Sequence, residues 1–216
     1  MPHLTRQTIS ELPLFPLNTV LFPGGLLPLQ IFEVRYLHMV GACRRDNGVF
    51  GVVALVQGSE VRQPGDAGAE GETFQGFGTL ARIIDFAAPM PGLMRIRCLG
   101  EGRFRLRSAA RQVQGLWRAD VDCLEPEAVL PIPDDLQPVA QKLGRLIRLL
   151  QERGVEPDAM PIRPPFELED CAWVANRWSE LLPLPHTLRR DLYATESPVL
   201  RLELIGDLLD RTELPF

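Results

Sequence analysis

Apolar residues crowd segment 12–32, LPLFPLNTVLFPGGLLPLQIF, into two runs, LPLFPL and LLPLQIF, separated by residues 18–25. The Pro-Gly-Gly at 23–25 forces a chain reversal, because glycine reaches positive φ at little cost. Each run therefore reads as a strand. Prolines 13, 16 and 28 remove ladder donors and confine these strands to sheet edges, bulges or a barrel rim, so an irregular barrel fits better than a flat sheet. Residues 33–45 place Tyr36, Met39, Val40 and Cys43 on one helical face, and Asp46-Asn47-Gly48 ends that helix. Residues 49–56, VFGVVALV, are β-branched and apolar throughout, which predicts a strand covered on both faces at the barrel centre. Residues 57–73 have no periodicity and read as a mobile surface loop. The two-residue period then resumes in FQGFGTLARIIDFA, LMRIRCL, GRFRLRSA and GLWRADVDCL, with PMPG as a turn. Short connections make these antiparallel hairpins, giving roughly seven strands and one helix up to residue 124.

The period changes to 3.6 after EPEAVLPIPDD, residues 125–135, which reads as a linker. Leu136, Val139, Ala140, Leu143, Leu146, Ile147 and Leu150 form one helical stripe, with Asp135 as the expected N-cap and Gly154 as the stop. A second helix carries Cys171, Val174, Ala175, Trp178, Leu181 and Leu182 on one face. A short third spans residues 187–193. Ser197-Pro198 starts the last, which runs to about residue 210. The pattern predicts an α+β chain with a β domain at residues 1–125 and a small helical bundle at 126–216.

The opening stretch, followed by EVRYLHMV, resembles the start of the Lon protease N-terminal (substrate-binding) domain family, and FGTLARI at 77–83 and GEGRFRL at 100–106 resemble its later motifs. The resemblance implies a PUA-like pseudo-β-barrel followed by helices, and a non-catalytic module that binds polypeptide. In the Lon enzymes the segment joining the second strand to the first helix is implicated in substrate capture. Its counterpart here is Phe32, Glu33, Val34 and Arg35. The full-length enzymes add an ATPase and a Ser-Lys peptidase, and this chain is expected to be a stand-alone form without either.

Composition narrows the chemistry further. Of 23 basic residues, 22 are arginine, and Lys142 in AQKLGRL has neither the glycines nor the hydroxyl of a phosphate-binding loop. It equally fails as the lysine of a Ser-Lys dyad. GFGTLA at 76–81 matches a dinucleotide fingerprint but runs into a strand, so a hairpin or barrel-corner glycine pair is the better reading. His3, His38 and His186 have no metal-ligand spacing, and no GxSxG is present. No cofactor, metal or catalytic residue is assigned. A hydrolase with a spatially assembled site stays as the weakest alternative. No apolar run approaches the roughly 20 residues of a membrane span, and the N-terminus lacks a secretory segment, which points to a soluble cytoplasmic protein. Cysteines 43, 98, 123 and 171 are then expected to be reduced core residues.

Charge divides the halves. Residues 1–125 carry 13 arginines against 12 acids, whereas 126–216 carry 10 basic residues against 16 acids. Arg95 and Arg97 share one strand face and Arg103, Arg105 and Arg107 another, flanked by Arg111 and Arg118. An RNA-binding PUA-like module is the alternative this ribbon supports. The net charge of −5 and the sparse aromatic residues favour a solvated outer face, so nucleic acid is not the expected partner.

Two features point to polypeptide. Trp173 lies about 200° from Cys171 at 100° per residue, opposite the main stripe of its helix, with Arg177 four residues on. It is either an exposed aromatic anchor or packed on a second buried side. Leu21, Phe22 and their apolar neighbours exceed what two edge strands joined by a loop can bury. They form either an open groove suited to strand addition by an extended peptide or a surface packed under the C-terminal helices. The expected binding residues are thus Leu21, Phe22, Phe32, Glu33, Val34, Arg35 and Trp173. The expected partners are unfolded or extended polypeptides, with a protease or chaperone as a recipient.

Overall fold

Residues 7–58, 72–156 and 158–211 are described in a computed structural model of the chain. The expected surface loop at 57–73 lies largely outside the described residues. Two compact units follow one another, Met1–Pro126 and Glu127–Phe216.

The first unit contains strands β1 (Thr8–Leu17), β2 (Leu26–Ile31), β3 (Val49–Gln57), β4 (Thr73–Met90), β5 (Leu93–Arg111) and β6 (Trp117–Cys123), with helix α1 (Val34–Arg45) between β2 and β3. The strand order is β2-β5-β4-β3-β1-β6, and β6 also pairs with β5. That extra pairing closes a barrel and leaves β2 outside the ring, bonded only to the first half of β5. The six strands fall short of the roughly seven expected because LMRIRCL and GRFRLRSA are one continuous strand. Gly100 sits between them because a Cβ there would lie 2.3 Å from the Phe22 carbonyl oxygen, so it permits a close approach rather than a turn. Gly78 has the same function inside β4, where a Cβ would collide with Val52 O and the Phe104 ring. The GFG segment therefore belongs to a strand and not to a hairpin.

The expectation that β1 lies at an edge is corrected. It sits inside the barrel, pairing antiparallel with β6 over Thr8 to Leu14 and parallel with β3 over Leu14 to Leu17. The two pairings are staggered. Pro13 therefore pairs only with β6 and Pro16 only with β3, and each missing donor faces a side with no paired partner. The two opening strands do not form a hairpin with each other. Phe15, Leu17, Phe50, Val52, Ile96 and Cys98 form a core closed by Tyr36, Met39, Val40 and Cys43 of α1, the helical face that the sequence periodicity predicts. Leu12, Leu14, Val53, Phe104 and Val121 fill the other end.

The second unit holds α2 (Gln137–Glu152), α3 (Cys171–Leu181), α4 (His186–Ala194) and α5 (Pro198–Arg211) around Val139, Leu143, Ile147, Val174, Trp178, Leu202 and Ile205. The expected cap at Asp135 gives way to a 3₁₀ turn, Asp134–Leu136, that leads into α2 without a side-chain cap. Asp170 caps α3 instead, accepting from Trp173 N at 3.1 Å and also from Leu130 N at 3.0 Å. The expected linker is therefore structured in its second half, where Pro131 bridges to Asp170 and Cys171 N donates to Leu130 O.

Candidate polypeptide-binding site

At the free end of β2 the chain turns into α1 through Phe32 and Glu33. Phe32 is 53% exposed and Val34 66% exposed. Ile31, the last residue of β2, stands opposite Met94 of β5, whose neighbour Leu93 pairs with Met90 of β4. Opposite residues of adjacent strands share a face. Met90 and Leu93 thus stand side by side at the end of the sheet where β2 finishes, and Phe32 and Val34 follow in the turn and on the first turn of α1. Met90 is 59% exposed and sits at the tip of the β4–β5 hairpin, whose turn is made by Pro91 and the positive-φ Gly92. The sequence reading missed Met90 and Leu93 because it took PMPG as a turn alone. The adjacency of β2 to β5 that makes them relevant is a long-range pairing.

Beside this strip a cleft of about 200 Å³ is lined by Phe15, Leu17, Leu29, Ile31, Phe32 and Tyr36. The Phe15 and Tyr36 rings stack with centroids 3.9 Å apart. Glu33 stands at its rim and precedes α1 without capping it, because its carboxylate is taken by Arg35, whose Nε donates to Oε2 at 2.9 Å. The Arg35 Nη1 donates to Gly115 O at 3.0 Å in the β5–β6 turn, and the guanidinium lies 4.4 Å from the centre of the Tyr36 ring. Three attachments hold this residue. The junction is therefore a fixed platform rather than a loose loop.

These contacts sort the expected residues. Phe32, Glu33 and Val34 are brought together at the junction. Arg35 is corrected from a charge offered to a partner to a buried clamp, only 7% exposed and bonded through Nε and Nη1. Leu21 and Phe22 are corrected from surface to core, at 3% and 0% exposed. The reason is that their segment lies against β4 and β5, with Thr79 Oγ1 donating to Leu21 O at 2.6 Å and Gly24 N donating to Gly100 O at 2.8 Å. Trp173 belongs to α3 of the second unit. It is partly buried against the helical core, edge-on to Phe166 at 6.4 Å and within 5.9 Å of the Arg177 guanidinium. Of its two expected readings, an exposed anchor or packing on a second buried side, the structure shows packing, against the helical core.

Acids lie beside part of the arginine ribbon. Arg107 lies 3.7 Å from Asp122 and Arg118 lies 3.9 Å from Glu11, while Arg82 outside the ribbon bonds Glu101. Such local compensation weakens the field a phosphate backbone needs. Among the described residues no helix is long and apolar enough to cross a membrane.

Comparison with known proteins gives these residues a context. Protein cereblon of Danio rerio is 32% identical over 132 residues, covering 59% of this chain and 28% of that protein. The Lon protease of Anaeromyxobacter dehalogenans is 25% identical over 205 residues, covering 94% of this chain and 23% of that protein. The chain thus spans about a quarter of the length of these relatives. A crystal structure of a Lon N-terminal domain protein from Xanthomonas campestris superimposes with a TM-score of 0.69 at 30% identity, covering 92% of this chain and 98% of that one. The N-terminal domain of a Mycobacterium avium complex Lon protease, at 17% identity and a TM-score of 0.55, shares the fold over 93% of this chain and 97% of its own. The profile of the ATP-dependent protease La (LON) substrate-binding domain matches residues 11–211, which takes in nearly all of the barrel, the β2–α1 junction and the described helices. On that match the chain belongs to the Lon substrate-binding domain family.

Proposed function

We propose that this chain is a non-catalytic module that binds unfolded or extended polypeptide through the strip of Phe32, Val34, Leu93 and Met90 and the cleft beside it. The observation that carries the reading is the exposure of Phe32 and Val34 on a junction held by Arg35, together with the exposure of Met90 at the tip of the β4–β5 hairpin. A rigid backbone lowers the ordering cost of binding, while the unbranched Met90 side chain adapts to varied partners. The family's substrate-binding designation points the same way. In the cytoplasm such a module presents captured segments to a protease or chaperone.

Capture is weak and tolerant of sequence, with a dissociation constant near micromolar, about 8 kcal/mol. The test is fluorescence anisotropy with labelled casein. Replacing Phe32, Val34 and Met90 together by serine is expected to weaken binding roughly tenfold or more, since anchors of this type dominate interface energy. An unchanged affinity in a variant as stable as the parent removes the strip from the account.

A further inference from the structure

We propose that the client adds to the sheet as an extra strand along the outer edge of β2, placing alternate apolar side chains in the cleft against Phe15, Leu17 and Tyr36. This rests on the polypeptide-binding reading above and specifies its mode.

The backbone phase of β2 carries the inference. Gly100 N donates to Gly25 O at 2.8 Å, immediately before β2 begins. Antiparallel pairs alternate between bonded and non-bonded, so Leu27, Leu29 and Ile31 are the residues bonded to Cys98, Ile96 and Met94. The backbone groups of Leu26, Pro28 and Gln30 then point away from β5, and β2 pairs with no other strand among those described. That edge offers three carbonyls but only two N–H groups, because Pro28 has none. A proline in this position blunts edge-to-edge aggregation and leaves the acceptors available to an incoming N–H.

The cleft lies on the same side. Its lining joins Pro28, Leu29, Gln30 and Ile31 of β2 to Phe15, Leu17 and Tyr36 across from them. In an added strand, residues opposite Leu29 and Ile31 share their inward face and enter the cleft, with their own N–H groups turned to solvent. The intervening residues, opposite Leu26, Pro28 and Gln30, donate to the edge. The ligand class is an extended segment with apolar residues at alternate positions and no proline at the positions between them.

The test uses the full chain and a labelled octapeptide alternating valine with threonine between terminal lysines, in three forms: unmodified, N-methylated at the threonines, and N-methylated at the valines. Threonine N-methylation is expected to weaken binding roughly tenfold or more through lost hydrogen bonds, and valine N-methylation to leave it within about twofold. Pro28→Ala restores a donor and is expected to tighten binding roughly two- to tenfold, a gain that a misfolded variant does not produce. Equal binding of the two methylated forms overturns strand addition while leaving polypeptide binding intact. So does an unchanged affinity in Pro28→Ala, or binding of casein without the unmodified peptide. If neither casein nor peptide binds, the proposed function itself falls. A concentration-dependent dimer that the peptide does not dissociate assigns the edge to a second copy of the chain and also overturns the proposal.

Discussion

Phe22→Ala separates core from surface in the opening stretch. The side chain is fully buried, and its backbone is held on both sides by the Thr79 hydroxyl on Leu21 O and by the Gly24–Gly100 hydrogen bond. The Phe22 carbonyl already abuts Gly100, so the segment has little freedom to collapse into the space a truncation leaves. Phenylalanine truncations in such sites cost about 3–5 kcal/mol, and the pinned backbone favours the upper half of that range, about 4 kcal/mol. With a urea dependence of about 1.5 kcal/mol/M, the unfolding midpoint falls by roughly 2–3 M. Phe32→Ala removes a ring of the same size from a half-exposed position and is expected to cost less than about 1 kcal/mol of stability while weakening client binding. Urea titrations of the two variants and the parent, followed by circular dichroism, decide the matter. A Phe22→Ala midpoint within about 0.5 M of the parent refutes the packing argument, since it corresponds to under about 1 kcal/mol.

The remaining predictions concern groups the strip depends on or the fold conceals. Arg35→Met leaves the Glu33 carboxylate and the Gly115 carbonyl without their donor and is expected to cost about 2–3 kcal/mol by thermal or urea unfolding. Arg35→Lys restores little, because an ammonium lacks the planar fork. Arg201→Met disrupts the second unit. Arg201 is 1% exposed and donates to both Glu127 carboxylate oxygens, to Asn176 Oδ1 at 2.7 Å and to the Leu192 and Thr195 carbonyls, so its loss is expected to cost about 3–5 kcal/mol in chemical denaturation. Burial pushes the Cys98 thiol up to about 12, with Cys43 adding to the effect. Its pKa is higher in the folded chain than in the unfolded one, so the stability it contributes is complete below about pH 9 and is lost as the pH rises toward 12. Alkylation by iodoacetamide at about pH 8 is expected to spare Cys98 until the chain unfolds, because the thiolate is the reactive form; rapid labelling of the native protein contradicts its burial.

Much of the fold was legible because it is local. The stripe of Tyr36, Met39, Val40 and Cys43, the continuous apolar run of β3 and the alternation of Arg95, Ile96, Arg97 and Cys98 each predict an element and its buried face from side-chain period alone. What was not legible is long-range. Nothing in LPLFPL indicates that β1 pairs parallel with β3 and antiparallel with β6, or that the stagger between them accommodates Pro13 and Pro16 inside a barrel. The same limit governed the site. In the proposed site Phe32, Glu33 and Val34 come from the resemblance, whereas Met90 enters only through the long-range pairing of β2 with β5 and of β5 with β4. Leu21 and Phe22 looked like surplus surface because their partners, Thr79 and Gly100, are more than fifty residues away. The burial of Arg35 and Arg201 was not legible, since a guanidinium bound to backbone carbonyls leaves no mark in spacing.

Amide chemical-shift mapping of the labelled protein titrated with unfolded casein tests the central claim most directly. The account predicts that the largest perturbations fall on residues 26–34 and 90–94, with the interior of α3 and the arginine-bearing face of β5 and β6 unaffected. Perturbations centred instead on residues 103–118, or on Trp173 and its neighbours, contradict it.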